Sequence, residues 1–223
     1  MTEVTKKVLI WASVAVGLLL LLIGMSKLAT SEGGSSYGSN TSITLPGEIV
    51  TEDEHVKGNP EAPVTIVEYS DFECPACART YPLLSQIVED MPDDVRLIYR
   101  HYPLRQIHPN AQLAAQASEA AALQGKFYEM HDSLFNTQST WSRDRNPEEF
   151  FVELAVSIGL NEEQFRDDLT SREAARAVND DSASATGLRL SGTPSIFLNG
   201  ESYQIQSYDQ LKRDIEAAAA QTN

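Results

Sequence analysis

The stretch VTIVEYSDFECPAC, residues 64–77, decides the fold of this chain. Its first half is β-branched and mostly apolar, which is typical of a buried strand. The only two cysteines of the chain follow in the sequence Cys74-Pro75-Ala76-Cys77, and apolar residues then recur at helical spacing from 79 to 91. A strand, a short connection, a CxxC motif and a helix together predict a thioredoxin-like redox site.

The spacing of the two cysteines assigns each of them a role. Positions i and i+3 of a helix share one face, about 5–6 Å apart at Cβ, so a small adjustment allows a disulfide. Pro75 favours the first position of a helix. Cys74 would then lie at the helix N-terminus, where free N–H groups and the macrodipole favour an anion. We therefore expect Cys74 to have a lowered pKa and to be the nucleophile, with Cys77 less exposed and resolving.

The CxxC motif allows two other interpretations. A static disulfide or an unreactive thiol pair is one, and half of a zinc site is the other. A zinc site would need two further ligands, and the chain has no other cysteine. No pair among its four histidines, at positions 55, 101, 108 and 131, has zinc-finger spacing. We expect no metal at this motif.

Three segments, in the right order, resemble one family. Residues 64–77 resemble the active-site segment of DsbA-family thiol:disulfide oxidoreductases, most closely its membrane-anchored members. Residues 122–135 are similar to a helical stretch of that family, and 191–195 to its cis-proline loop. The resemblance covers about residues 56–220. Ala76 departs from the histidine that strongly oxidising members often carry, so the resemblance implies a moderate oxidant.

The resemblance also implies further site residues. It places Glu68 beneath the dithiol as a proton acceptor for Cys77, whereas the residues alone also allow a strand-end glutamate that reaches solvent. It makes the Thr193–Pro194 bond cis, although X–Pro bonds are usually trans. The backbone of Thr193 would pair with an extended substrate, and Pro75-Ala76 would complete the substrate-binding surface with Pro194.

The remaining polar and aromatic candidates are expected to be structural. His101, His108 and His131 are interpreted as packing or surface residues rather than catalytic ones. Three aromatic residues could line a substrate groove, but core packing is the simpler expectation for Phe72, Tyr102 and Trp141.

The N-terminal region predicts a membrane anchor. Residues 8–25 form an uncharged apolar run long enough to cross a bilayer. Lys6-Lys7 precede it, so residues 1–7 are expected to stay in the cytoplasm. Residues 26–58, rich in Gly, Ser and Thr up to position 42, are interpreted as a flexible linker, followed by the catalytic domain at 59–223. A cleaved signal peptide is the alternative, but Lys27-Leu28-Ala29 is a poor cleavage site.

The charge of the chain excludes one class of partner. The formal net charge is −15, which would repel a phosphate backbone, so nucleic-acid binding is not expected. The acidic residues also serve solubility. Having only two cysteines fits an extracytoplasmic enzyme without structural disulfides.

The order of elements predicts an α/β thioredoxin fold with an inserted helical subdomain, preceded by one transmembrane helix. Residues 95–100 are expected to form a strand parallel to the first. Residues 109–187 are helical in pattern. Asn199-Gly200 then separates two short strands as a hairpin signal, and a final helix covers 208–220.

These observations lead to one expected function. The protein is expected to be a single-pass protein of a bacterial cell membrane whose extracytoplasmic domain donates its disulfide to reduced client proteins. A membrane quinone-linked partner would reoxidise it, and no cofactor is implied. A reductase or isomerase, and a tethered module that binds clients without turnover, are the alternatives.

Overall fold

The computed structural model describes residues 43–46 and 54–221. The predicted cytoplasmic tail, the predicted anchor at 8–25 and most of the predicted linker lie outside these residues. Among the described residues, no helix combines the length and the apolarity needed to cross a bilayer. The described residues all belong to one compact unit.

Five strands form one mixed sheet in the order β1-β3-β2-β4-β5. The strands are β1 His55–Gly58, β2 Val64–Ser70, β3 Val95–His101, β4 Ser195–Leu198 and β5 Glu201–Tyr203. As predicted, β2 and β3 are parallel, with Glu68 opposite Tyr99. The other neighbouring strands are antiparallel.

The helices are those expected for a thioredoxin fold with an insertion. Helix α1 Pro75–Asp90 connects β2 to β3, and α8 Tyr208–Ala219 follows the hairpin. The inserted helices are α2 Ala111–Ala122, α3 Phe127–Asn136, α4 Gln138–Trp141, α5 Glu148–Ser157, α6 Glu162–Leu169 and α7 Arg172–Gly187. The predicted helical insertion at about 109–187 is therefore confirmed.

The two faces of β2 pack against different layers, because successive side chains of a strand point to opposite faces. Val64 and Ile66 pack with apolar residues of α1 and α8. Val67 and Tyr69 pack on the other face, in a cluster that includes Ala185 of α7. Glu68 has the parity of Val64 and Ile66, which turns its side chain toward the α1 side of the sheet.

The hairpin follows from its turn residues. Asn199 and Gly200 both have positive φ, at 46° and 86°, which is the backbone of the type I′ turn that the Asn-Gly signal predicts. The second strand of the hairpin comprises only Glu201–Tyr203.

The predicted linker ends too late in the sequence. Its last four residues, His55–Gly58, form strand β1, which pairs with β3 at the edge of the sheet. Residues 43–45 also contact the domain. Leu45 N donates to Gly200 O at 2.8 Å, Ser202 N donates to Ile43 O at 2.9 Å, and Thr44 forms a bridge with Glu201.

Candidate active site

The two cysteines lie where the motif predicts. Cys74 is the N-cap of α1, and Pro75 is its first residue. Both thiols are free in this structure. Both are buried, with Cys74 6 % exposed and Cys77 fully covered. The first turn of the helix is closed by a hydrogen bond from Ala78 N to Cys74 O at 3.1 Å.

The two thiols differ strongly in acidity. The pKa of Cys74 is lowered to about 5, first by a hydrogen bond with the Cys77 side chain, then by Thr193 and by the backbone N–H groups of Cys77 and Ala76, although burial opposes the shift. Burial raises the pKa of Cys77, and the neighbouring Cys74 and Glu68 raise it further. At neutral pH the reduced site therefore holds a Cys74 thiolate beside a Cys77 thiol.

The loop before β4 faces the nucleophile. The Thr193–Pro194 peptide bond is cis, as the family resemblance implied. The carbonyl oxygen of Thr193 lies 3.5 Å from Cys74 Sγ. The predicted substrate-binding residues surround the thiolate: Pro75 is exposed, and Ala76, Thr193 and Pro194 are half-buried.

Glu68 is buried rather than turned to solvent. Its side chain is 1 % exposed and accepts a hydrogen bond from Ser70 Oγ at 2.8 Å. Burial raises the pKa of Glu68 to about 7; the Ser70 hydrogen bond lowers it and the Cys74 charge raises it. A carboxyl group that titrates near neutrality close to both thiols can exchange protons with the dithiol. Its role as proton acceptor stays a prediction.

Comparisons with known proteins identify the fold. A family model described as "Thioredoxin" matches residues 50–217. The chain belongs to this family. Oxidised BdbD from Bacillus subtilis superimposes with a TM-score of 0.70 at 25 % identity, over 81 % of this chain and all of that one. A thioredoxin-like oxidoreductase from Silicibacter pomeroyi DSS-3 has 30 % identity and a TM-score of 0.64, over 77 % of this chain and 94 % of that one. DsbA-like thiol:disulfide oxidoreductases are thus its structural neighbours.

Curated relatives of this chain carry the name of an antiporter. The Na⁺/H⁺ antiporter NhaA 1 of Mycolicibacterium gilvum is 41 % identical over 166 residues, which is 73 % of this chain and 26 % of the antiporter. NhaA 3 of Salinispora tropica is 41 % identical over 158 residues, 71 % and 23 % of the two chains. The chain spans about a quarter of these relatives' length, so the similarity concerns one part of each antiporter.

The structure adds a positioning residue that the sequence did not indicate. Gln138, from the short helix α4, donates from Nε2 to the carbonyl oxygens of Phe72 at 2.7 Å and Cys74 at 3.0 Å. It holds both ends of the turn that leads into the nucleophile. No local signal marks Gln138, because it lies 64 positions after Cys74.

Acidic residues before Cys74 order the same loop. Glu73 accepts from Asn110 N at 2.6 Å. Asp71 accepts from Leu104 N at 2.8 Å and pairs with His108 Nδ1 at 2.7 Å. These contacts join the loop before Cys74 to the segment that follows β3.

The other candidates pack in the interior of the domain, as expected. His101 and His131 are each 1 % exposed. The His131 ring meets Tyr99 edge-on at a centroid distance of 4.9 Å. Phe72 and Trp141 are buried in the core of the helical insertion. Tyr102 is half-buried, and its hydroxyl donates to Leu190 O.

Proposed function

We propose that this DsbA-like oxidoreductase donates its Cys74–Cys77 disulfide to reduced client proteins. The observation that supports this direction is the lowered pKa of Cys74, about 5 against an ordinary value of 9.0. A stabilised thiolate lowers the free energy of the reduced protein only. At pH 7, two pH units above the pKa of Cys74, ionisation of this thiol stabilises the reduced protein by about 3 kcal/mol. That corresponds to a potential about 60 mV more oxidising.

The exchange balances in two steps. A client thiolate attacks Cys74 Sγ of the disulfide, and Cys77 leaves and takes up a proton, which the neutral carboxyl group of Glu68 can supply. A second client thiolate then attacks the client sulfur of the mixed disulfide, and Cys74 leaves as the stable thiolate. The client loses two electrons and the dithiol gains them. Attack by Cys77 on the mixed disulfide instead releases the client unchanged.

The cis-proline loop supports a polypeptide as the substrate. The carbonyl oxygen of Thr193 lies beside Cys74 Sγ, so a client strand that pairs with the Thr193 backbone would bring its sulfur to the thiolate. Backbone pairing recognises extended chains of many sequences. This breadth suits an enzyme that acts on many reduced proteins.

The proposed setting rests on the sequence. The apolar run at 8–25 would anchor the protein as a single-pass membrane protein with its catalytic domain outside the cytoplasm, and a membrane quinone-linked partner would reoxidise the dithiol. Carbonate extraction tests the anchor, since an integral protein stays in the membrane. External protease should release the domain by cutting between Thr30 and Ser42. A soluble chain beginning near Thr30 in untreated cells would support a cleaved signal peptide instead.

The direction of electron flow is tested by the redox potential and two activity assays. We expect a potential above about −200 mV, near protein disulfide isomerase or higher. We also expect oxidative refolding of a reduced client by the oxidised protein. A potential near about −270 mV, typical of thioredoxin, with rapid insulin reduction would establish a reductase. Client binding without any thiol exchange would establish a tethered binding module.

A further inference from the structure

Two histidines and one glutamate converge outside the dithiol site. His55 comes from β1, His101 ends β3, and Glu119 lies in α2. The Nε2 atom of each histidine lies 2.7 Å from the same oxygen, Oε1 of Glu119. Potential ligand atoms of all three side chains lie within 4.8 Å of one another. Three elements distant in sequence thus present two imidazole nitrogens and a carboxylate oxygen to one point.

Aromatic neighbours fix the two imidazole rings. The His55 ring stacks on Phe127 at a centroid distance of 3.6 Å and an interplanar angle of 7°. The His101 ring is 1 % exposed and meets Tyr99 edge-on at 5.2 Å. Rings held in this way lose little further entropy when they bind a ligand.

Within the described residues, no hydrogen bond to the second ring nitrogen fixes the tautomer of His101. Its Nδ1 atom is buried and has no hydrogen-bond partner among the described residues. The proton can therefore reside on Nδ1, which leaves the Nε2 lone pair directed at the point shared with His55 and Glu119. The Nε2 atom of His101 can then serve as a metal ligand.

The trio borders a cleft that is open to solvent. The cleft has a volume of about 780 Å³ and is lined by both His55 and Glu119. The side chain of His55 is 21 % exposed, and that of Glu119 is 10 % exposed. Carboxylates outnumber cations on the walls of the cleft. The acidic side chains include Glu54, Glu173, Asp180 and Asp181, and the cationic ones are Arg172 and Arg176. The cleft gives a small cation access and a favourable local charge.

We propose that His55, His101 and Glu119 bind a divalent transition-metal ion, with Zn²⁺ as the best match. Two imidazoles and one carboxylate, with water in the fourth position, are an established zinc donor set. Imidazole ligands favour zinc and its transition-metal neighbours over Mg²⁺ or Ca²⁺. Metal–ligand distances of about 2.0–2.2 Å require the three ligand atoms to separate slightly from their present hydrogen-bond distances. The ion would join the sheet, through β1 and β3, to helix α2 of the insertion.

The test uses the full-length protein with its Cys74–Cys77 disulfide formed, because reduced thiols also bind zinc. After removal of metals with a chelator, the protein is titrated with Co²⁺ and separately with Zn²⁺. We expect one equivalent to bind, visible ligand-field bands of tetrahedral Co²⁺ that Zn²⁺ displaces, and a higher melting temperature with Zn²⁺. Glu119→Gln and His55→Ala should each weaken Zn²⁺ binding by more than about tenfold.

His108→Ala is the matched control, because it removes a histidine paired with a carboxylate outside the trio. This variant should bind Zn²⁺ like the parent protein. His55 is partly exposed, so His55→Ala keeps the test valid if Glu119→Gln fails to fold. The proposal is overturned if the oxidised protein binds no Co²⁺ or Zn²⁺, if binding needs the reduced cysteines, or if both trio variants bind like the parent.

Discussion

Gln138 donates a hydrogen bond from Nε2 to the backbone carbonyl oxygen of Cys74, 3.0 Å away. The donor belongs to the helical insertion and the acceptor to the N-cap of α1. The same amide nitrogen also donates to Phe72 O. The insertion therefore holds the carbonyl groups of the two residues that flank Glu73, at the entry to the dithiol helix, and helps to orient the nucleophile.

Replacing Gln138 tests this role. Gln138→Ala leaves the carbonyl of Phe72 without this donor and weakens the hold on Cys74, so we expect a loss of about 1–3 kcal/mol in the free energy of unfolding. Cys74 should also be alkylated more slowly at neutral pH, because its position at the helix N-terminus is less well fixed. Urea unfolding and alkylation rates measure the two effects. Gln86→Ala, an exposed change on α1, is the control. Unchanged values for Gln138→Ala would assign the contact no role.

The contribution of Cys77 to the acidity of Cys74 can be separated from that of the helix. Cys77→Ala removes the hydrogen bond that is the largest cause of the lowered pKa, so the pKa of Cys74 should rise from about 5. Cys77→Ser keeps a hydroxyl donor and should keep the pKa of Cys74 closer to the parent value. Alkylation rate against pH measures both. Equal pKa values in the two variants would show that backbone N–H groups dominate. Cys77→Ala should also accumulate mixed disulfides with clients that already contain a disulfide, because the Cys74 thiolate can attack that disulfide and no Cys77 remains to release the client.

The stability of the reduced protein should depend on pH more than that of the oxidised protein. The pKa of Cys74 is about 5 in the folded state and 9.0 ordinarily. A lowered pKa stabilises the fold above the unfolded value, and the gain disappears as pH falls through the folded value. At pH 7 the gain is about 3 kcal/mol, and near pH 4.5 it is almost absent. Urea unfolding of both forms at the two pH values gives the difference. An oxidised form that is more stable at pH 7 by over about 1 kcal/mol would contradict the proposed direction.

Glu68 should make the fold less stable as pH rises. Burial raises its pKa from 4.5 to about 7. Between these pH values the carboxyl group is ionised in the unfolded state but remains mostly protonated in the folded state. Above pH 7 this difference lowers the free energy of unfolding by about 3 kcal/mol. Glu68→Gln keeps an acceptor for Ser70 and removes the charge, so it should be the more stable protein at pH 8.5 and differ little at pH 4.

The same variant addresses the proton-transfer role. Glu68→Gln should slow thiol exchange at pH 7 and flatten its pH profile near neutrality, because the group that titrates there is absent. Glu89→Gln, an exposed change on α1, is the control for both measurements. A pH profile identical to that of the parent would reduce Glu68 to a structural residue.

The dithiol, its helix and the parallel β2–β3 pair could be predicted because their signals are local. Cys74 and Cys77 share one helical turn, and Asn199-Gly200 carries its own turn geometry. The cis bond before Pro194 came only from the family resemblance, because X–Pro bonds are usually trans.

The features that the sequence did not indicate depend on contacts between distant segments. Strand β1 has the sequence HVKG, in which Val56 is the single aliphatic residue and no alternation exists, so it is defined by its pairing with β3. Gln138 reaches a residue 64 positions away, and so does His55 when it meets Glu119. Such contacts exist only after the insertion has packed against the sheet.

The bridge between Thr44 and Glu201 has a practical consequence for where this protein can be truncated. Residues 43–45 occupy backbone groups of Gly200 and Ser202 that otherwise lie on the open side of β5. A fragment that starts at residue 54 leaves those groups unpaired, and an unprotected sheet edge is a template for strands of other molecules. Such a fragment would keep its dithiol but gain a route to self-association, whereas one that starts before residue 43 would retain its natural edge cover.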